Sequence, residues 1–225
     1  MRRLVQSLNY FFYIAFHHGP VLAIKLLVDE RRGEKKYGLD TTDVLVMKEL
    51  QSKAPNAVHS NEYMPASYIL MEKTFAEVNK FDHNKTFLDI GCGTGRALFV
   101  AAANGFTKIS GIELYAPYCK LVEKYIISKQ SEYPAATISV IGADAATYQI
   151  PDNIQTIFFY NPFDEYIMDK VLQHILASLK RSPRRLFVVY LSPIYKSRFL
   201  EYGFEEIFHA KRFNYIEASV LKKEL

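Results

Sequence analysis

The chain has 225 residues, of which 49% are hydrophobic, and its formal net charge is +4. This length suits one sizeable domain with an appendage and excludes two full domains. The 28 basic and 24 acidic residues are spread along the chain, so the charge is only a weak indication of an anionic partner. Two cysteines, Cys92 and Cys119, do not make a disulfide framework, which favours a reducing, cytoplasmic location.

The first apolar stretch, residues 4–27, is interrupted by polar residues and by the pair Gly19-Pro20. These interruptions fit neither a transmembrane helix nor a secretory signal. The pattern predicts two short amphipathic helices hinged at this pair, packed as a cap on the main domain. The alternative is a weak association of these helices with a membrane surface, because arginines flank the segment. These are Arg2, Arg3, Arg31 and Arg32.

Residues 28–44 are rich in charge and lose the apolar rhythm. We therefore predict a loop or linker of about fifteen residues, of the kind that often covers a functional site. Our hypothesis is that residues 31–43 fold over the site when ligands bind. Residues 1–60 are thus predicted to form an N-terminal helical cap and lid segment, and residues 61–225 the main domain.

From residue 63 onward, apolar runs of strand length alternate with segments of helical spacing. The predicted order is helix 66–78, strand 85–90, helix 96–104, strand 108–114, helix 116–130, strand 137–144, strand 156–163, helix 165–180 and strand 185–193. Near-continuous apolar strands that alternate with helices indicate a parallel sheet buried on both faces.

The tail, residues 204–223, departs from this alternation. It holds two strand-like segments with only a tight connection near residues 212–214. That connection is too short for a crossover helix, so the two strands must pair antiparallel. The predicted fold class is therefore α/β, with a doubly wound, mostly parallel sheet that ends in an antiparallel hairpin.

Three alternating glycines, Gly91, Gly93 and Gly95, lie between the first predicted strand and its helix. Glycine there leaves room for a ligand above the strand, where the helix N-terminus offers free N–H groups. The dinucleotide fingerprint G-x-G-x-x-G requires a glycine where this chain has Arg96. Asp89, two residues before the first glycine, would repel a pyrophosphate and attract an ammonium group.

Two further acids follow the next two predicted strands. Glu113 ends the second strand, and its carboxylate can accept both hydroxyls of a ribose bound over the glycine loop. Asp144 ends the third strand and is placed to accept a hydrogen bond from an adenine amino group. Together with Asp89, these residues indicate a nucleoside that has a cationic end and no phosphate.

These motifs make the stretch from residue 63 to the C-terminus resemble the class I, seven-strand S-adenosylmethionine (SAM) methyltransferases. The matching segments are "LDIGCGTG", "GIEL" and "GADA". The resemblance implies a seven-stranded sheet of order 3-2-1-4-5-7-6 with the last strand antiparallel, and SAM as the cofactor. It also implies contacts of the glycine loop with the methionine end, of the second acid with the ribose and of the third with the adenine. The implied cofactor-binding residues are Asp89, Gly91, Cys92, Gly93, Gly95, Glu113, Asp144 and Ala145.

The acceptor is expected after the fourth strand, at "FFYNPFD". This segment resembles the Asn-Pro-Pro-aromatic motif of methyltransferases that act on planar amide or base nitrogens, but it lacks one proline. Asn161 is our candidate catalytic residue, which would orient the acceptor, and Tyr160 and Phe163 are candidates for shaping its pocket. The alternative is that Asn161-Pro162 simply begins a turn.

A second partial resemblance lies upstream. The layout of residues 62–78, followed by the glycine loop, is similar to that of seven-strand protein-lysine methyltransferases, in which a short segment before the first helix closes over the cofactor. It implies that Tyr63 and Pro65 lie against SAM. The alternative is an ordinary helix start.

The acceptor is therefore predicted to be a small molecule or a protein side chain. Protein-lysine N-methylation and a catalytically silent SAM-binding interaction module are the alternatives, and a dehydrogenase is a third. Nucleic acid is disfavoured because the most basic cluster, residues 179–185, lies at the amino ends of the strands, away from the expected site. The scattered histidines have no metal-ligand spacing, and Cys92 has no nearby histidine to make it a nucleophile.

Overall fold

The computed structural model describes residues 11–12, 14–17, 19–41, 59, 65–81, 84–160 and 162–225. The helices are α1 (Pro20–Tyr37), α2 (Tyr68–Val78), α3 (Arg96–Ala103), α4 (Ala116–Lys129), α5 (Glu165–Arg181) and α6 (Lys196–Glu201). The strands are β1 (Thr86–Ile90), β2 (Lys108–Glu113), β3 (Thr137–Gly142), β4 (Thr156–Tyr160), β5 (Leu186–Leu191), β6 (Glu205–Arg212) and β7 (Ile216–Lys223). Residues 11–12 and 14–17 are also helical.

The seven strands form one sheet in the order β3-β2-β1-β4-β5-β7-β6. The first five strands pair in parallel, and β7 runs antiparallel to both β5 and β6. This confirms the predicted fold class, including the hairpin at the end of the chain. Asp89 on the central strand β1 is in register with Gly111 on β2 and Phe158 on β4. The carboxyl ends of the parallel strands therefore meet at one edge of the sheet.

Two apolar clusters cover the faces of the sheet. One lies under α2 and α3, and the other under α5 and α6. In the first cluster the ring of Phe75 lies 5.2 Å from Phe87, 5.8 Å from Phe106 and 5.6 Å from Phe158, in each case edge to face. Such aromatic pairs add about 0.5–1.5 kcal/mol to the stabilisation from buried area. Burial on both faces explains why the strands are apolar without alternation.

The predicted loop over residues 28–44 is wrong for most of its length, because α1 continues to Tyr37. Pro20 occupies the first turn, and Gly38 ends the helix in the left-handed conformation, with its N–H donating to the carbonyl of Glu34. Two acids of this segment, Asp29 and Glu30, pair with arginines that are distant in the sequence. Asp29, for example, accepts two hydrogen bonds from Arg212, at 2.8 and 2.9 Å.

The end of α1 is packed against the main domain. The ring of Tyr37 stacks on Tyr68 at 5.3 Å, and Leu39 and Thr41 are buried. The part of the expected lid that the structure describes, residues 31–41, is thus a docked helix end. Residues 42 and 43 lie outside the described residues.

None of the helices in the described ranges is long and apolar enough to cross a lipid bilayer. Within the same ranges, no group of three His, Cys, Asp or Glu residues is arranged to hold a metal ion.

Candidate functional site

The loop between β1 and α3 requires glycine for two separate reasons. Gly91, Gly93 and Gly95 all have positive φ, at 79°, 53° and 81°, which L side chains rarely adopt. In addition, a Cβ on Gly91 would lie 2.6 Å from the Cβ of Pro162, and one on Gly95 would lie 2.8 Å from Cγ2 of Val122. The backbone conformation and the neighbouring protein atoms therefore both exclude side chains here.

Asp89 supplies a buried carboxylate beside this loop. Its exposed fraction is 3%, and its carboxylate accepts no hydrogen bond from the described residues. Burial, and next the charge of Glu113, hold the pKa of Asp89 well above its ordinary value. A buried carboxylate without a donor is costly unless a cation joins it, so this position suits a positively charged ligand group.

Glu113, at the end of β2, holds the glycine loop in place. Its Oε2 accepts a hydrogen bond from the N–H of Gly93 at 2.8 Å, and its Oε1 accepts one from the N–H of Tyr115 at 2.7 Å. Burial raises the pKa of Glu113, although these backbone donors act in the opposite direction. Each carboxylate oxygen has a second acceptor site, so the residue can still receive two ligand hydroxyls.

Asp144 follows β3 at the same edge of the sheet. Its Oδ1 accepts a hydrogen bond from the N–H of Ala146 at 2.8 Å, which fixes the turn that contains Ala145. The N–H of Ala143 donates to the carbonyl of Glu113 at 3.0 Å, so the ends of β2 and β3 lie side by side. The structure thus brings all three predicted acids to one edge of the sheet.

Cys92 is buried in the glycine loop and packs against β2. A Cβ on Gly111 would lie 2.7 Å from its Sγ. Burial, followed by the charges of Asp89 and Glu113, raises the pKa of the Cys92 thiol, which opposes the nucleophilic thiolate. Both cysteines are free thiols, Cys119 being the other. The sulfur of Cys92 therefore packs as a small apolar group.

The segment after β4 was predicted to hold the acceptor. Asn161 lies outside the described residues. Phe163 is buried in the core under α5, with its ring 6.4 Å from Phe159. Phe163 therefore packs in the core, and its role in shaping the acceptor pocket stays a prediction. Tyr160 is partly buried on the opposite face of the sheet. Pro162, whose Cβ lies against Gly91, brings this segment next to the glycine loop.

A pair that the sequence did not suggest lies beside this segment. The Nδ1 atom of His59 is 2.6 Å from Oδ2 of Asp164, and the N–H of Asp164 donates to the carbonyl of His59 at 2.9 Å. The ring of His59 also lies 4.9 Å from that of Tyr166. Asp164 caps α5, which its position before the helix could have indicated. No sequence signal joins it to a residue 105 positions away.

Arg96, the residue that breaks the dinucleotide fingerprint, points into the protein. Its guanidinium pairs with the carboxylate of Glu30 and donates to the hydroxyl of Thr41 at 2.8 Å and to the carbonyl of Ala66 at 2.7 Å. The group also lies 4.2 Å from the ring centre of Tyr68. Arg96 therefore offers no charge to a pyrophosphate above the loop, and the carboxylates favour a cationic nucleoside such as SAM.

Residues 60–225 match a family model described as "Methyltransferase domain". No curated protein sequence matches the chain. Among solved structures, the PH0226 protein from Pyrococcus horikoshii OT3 is similar, with a TM-score of 0.52 and 15% identity over 71% of this chain and 92% of that one. TrmN from Thermus thermophilus has a TM-score of 0.54 and 17% identity, over 71% of this chain and 49% of that one.

Magnesium protoporphyrin IX methyltransferase from Synechocystis PCC 6803, solved with bound S-adenosylhomocysteine (SAH), is similar in the same way. Its TM-score is 0.51 and its identity 13%, over 70% of this chain and 83% of that one. Identities this low carry the fold alone, whereas the family model spans more than half of the chain. The chain therefore belongs to the methyltransferase family that this model describes and is a class I SAM-dependent methyltransferase.

Proposed function

We propose that residues 61–225 hold SAM at the carboxyl edge of β1, β2 and β3 and transfer its methyl group to an acceptor held after β4. The observation that carries this proposal is the buried carboxylate of Asp89, which has no donor among the described residues and lies beside a loop of three glycines with positive φ. A cationic ligand that lacks phosphate satisfies both features.

Each part of the site has a role in this proposal. Asp89 attracts the ammonium of the methionine end, and the loop that contains Cys92 lets that end approach the backbone. Glu113 accepts the ribose hydroxyls, while Asp144 and Ala145 contact the adenine. Their support is the common edge of the sheet on which the strand ends converge.

When bound, SAM supplies a methyl group that is already activated by a sulfonium leaving group. The protein therefore has to align a nucleophile and exclude water. We assign the alignment to Asn161. The contact of Pro162 with Gly91 supports this assignment, because it places the turn after β4 directly beside the donor loop.

A small molecule or a protein side chain is the proposed class of acceptor. The basic cluster that could have suggested nucleic acid is engaged elsewhere. Arg181 pairs with Asp152, and Arg184 donates to the carbonyls of Ile154 and Ser182 at 2.7 and 2.8 Å. These arginines stabilise a turn at the amino ends of the strands, and they leave the acceptor side without a basic surface from this cluster.

The N-terminal part of the chain is proposed to contribute to acceptor selection. His59 is tied to Asp164, three residues after Asn161, so His59 lies next to the part of the chain that follows β4. Pro65 is buried just before α2, while Tyr63 lies outside the described residues. This layout supports protein-lysine methylation as the second candidate.

Calorimetric titration of the purified chain with SAM, SAH and NAD(H) tests the donor side. We expect SAM and SAH to bind and NAD(H) not to bind, and NAD(H) binding without SAM binding contradicts the proposal. Incubation with methyl-labelled SAM and cell lysate, separated into protein, RNA and small-molecule fractions, then identifies the acceptor. If the chain binds SAM but transfers no methyl group to any fraction, and Asn161→Ala changes neither result, the silent module is supported instead.

A further inference from the structure

The charged residues of α1 are sorted by sign between its two sides. Its acids face the protein, where Asp29 pairs with Arg212 and Glu30 pairs with Arg96. Its exposed charged residues are all basic: Lys25, Arg31, Arg32, Lys35 and Lys36. The outer face of this helix is therefore positively charged, although the helix as a whole carries charges of both signs.

Most of these cations have no acidic partner. Among the residues that the structure describes, Lys36 pairs with Glu72, and the other four basic residues on the outer face of α1 form no ion pair. Unpaired cations on one helix face attract an anionic surface, and each contributes separately to that attraction.

Exposed apolar side chains share the same face. Val21, Ile24 and Val28 follow the helical spacing of three and four residues and are exposed by 65%, 54% and 41%. Phe12 and Phe16, on the helical turns before Gly19, are also exposed, by 64% and 86%. Large aromatic side chains with such high exposed fractions are unfavourable in water, and several of them together indicate a surface that another molecule covers.

A cleft adjoins this face where α1 meets the turn between β6 and β7. It has a volume of about 520 Å³ and is lined by Val21, Leu22, Lys25, Phe213 and Asn214. The ammonium of Lys25 lies 5.4 Å from the ring centre of Phe213. The cleft therefore combines apolar walls with a cation, which suits an amphiphile with an anionic head group.

We propose that the outer face of α1, together with Phe12 and Phe16, binds the surface of an anionic lipid bilayer. The apolar side chains enter the boundary between head groups and acyl chains, while the basic residues contact the lipid phosphates. A second copy of the chain is a poorer occupant, because a two-fold contact would place the same unpaired cations opposite each other. The proposal is independent of the acceptor and of methyl transfer.

Flotation of the full chain with lipid vesicles tests this proposal. We expect binding to vesicles of phosphatidylcholine mixed with phosphatidylglycerol, much weaker binding to phosphatidylcholine alone, and release by salt. The triple variant Arg31→Gln, Arg32→Gln and Lys35→Gln should lower the partition coefficient by about 100-fold or more at low salt. The double variant Ile24→Ser and Val28→Ser should lower it by about tenfold to 100-fold.

Matched control variants separate the face of α1 from general charge and hydrophobicity. The charge control combines Lys108→Gln, Lys120→Gln and Lys180→Gln, on β2, α4 and α5, and the apolar control combines Ile127→Ser and Ile194→Ser. Both controls should bind vesicles like the unchanged chain, and circular dichroism verifies that all variants fold.

Three results would overturn the proposal. The first is no binding to anionic vesicles at low salt, which means that the face is covered by other means. The second is an equal loss of binding in the control variants. The third is a dimer, detected by light scattering, that dissociates in the variant Ile24→Ser. This result would show that a second copy of the chain covers the face.

Discussion

Glu30 and Arg96 lie 66 positions apart in the sequence and form an ion pair that is almost closed to solvent, with side-chain exposures of 7% and 3%. Arg96 is the first residue of α3, directly after the glycine loop, and Glu30 lies in the middle of α1. The pair therefore fixes the N-terminal helix against the part of the chain that forms the donor side of the site.

Removal of the carboxylate should destabilise the protein strongly. Glu30→Ala leaves Arg96 buried without its counter-charge, and we expect the free energy of unfolding to fall by about 3–5 kcal/mol in urea denaturation. Lys36→Ala on the same helix removes an ion pair in which Lys36 is 61% exposed, so it should cost less than about 1 kcal/mol. A loss in Glu30→Ala as small as that of the control would mean that α1 is not docked as described.

Gly33→Ala should also be destabilising, although alanine is the better helix former. A Cβ at this position of α1 would lie 2.0 Å from Cδ2 of Tyr68, so the ring has to move out of its stack with Tyr37. We expect a loss of about 1–3 kcal/mol that outweighs the helical gain of about 1 kcal/mol. The exposed Lys35→Ala, measured in the same thermal unfolding experiment, reports the effect of helix propensity alone; stabilisation by Gly33→Ala would contradict the packing.

Asp89→Asn should weaken SAM binding by about tenfold to 100-fold, because the ligand ammonium loses its counter-charge. The binding of SAM should also depend on pH. Burial raises the pKa of Asp89 above its ordinary value of 3.8, so the ligand-free carboxyl retains its proton where a free aspartate has lost it. The ammonium favours the ionised form, so binding releases a proton, and affinity rises with pH up to the raised pKa of Asp89 in the ligand-free protein.

The same shift has an opposite effect on the ligand-free protein. Its stability falls as pH rises from the ordinary pKa of Asp89 to the raised one, because Asp89 ionises more easily in the unfolded chain. Calorimetry in buffers of different ionisation enthalpy measures the released proton, and pH-dependent urea denaturation measures the stability. In Asp89→Asn both effects should disappear, whereas the remote Asp152→Asn should keep them. Proton uptake on binding would contradict the proposed contact.

Glu113→Gln is expected to disturb the glycine loop even before SAM binds. The amide presents one N–H₂ group where the carboxylate accepts hydrogen bonds from the N–H groups of Gly93 and Tyr115. We expect a loss of about 1–3 kcal/mol in stability and weaker SAM binding, since one donor is left without an acceptor. Glu123→Gln, on the exposed face of α4, is the matched control for both measurements. Full SAM affinity in Glu113→Gln would remove this residue from the ribose site.

His59→Ala should affect the acceptor more than the donor. It removes the contact between residue 59 and Asp164 but leaves the glycine loop unchanged. We therefore expect SAM affinity within about twofold of the unchanged chain and a methyl transfer rate lower by about tenfold. Asp164→Asn weakens the same link while it retains a good helix cap, so it should reproduce the effect without unfolding α5. A transfer rate that is unchanged in both variants would show that this contact is only structural.

The sheet could be predicted from the sequence because its strands are continuous apolar runs and its last connection is very short. The acids could be placed at one edge for the same reason, since a residue at the end of a parallel strand has few other positions available. The short helix α6 was not predicted, since its six residues are too few to establish a helical period.

Contacts between distant residues could not be predicted. Residues 28–37 look like a loop because they are rich in charge and lose the apolar rhythm, whereas the structure pairs Glu30 with Arg96 and Asp29 with Arg212 of other elements. The burial of Phe163 was missed for a similar reason. The direction of its side chain depends on how the chain leaves β4, and a motif with one proline fewer does not determine that direction.

The close contact between Gly91 and Pro162 limits which substitutions this enzyme can accept. The two residues belong to separate halves of the site, yet not even a methyl group fits between them. A substitution that changes the backbone conformation at position 162 would therefore affect the binding of the methyl donor as well as that of the acceptor. New acceptor preferences can be acquired more readily through the chain segments that surround this junction, and a comparison of related sequences should find diversity there and uniformity at positions 91 and 162.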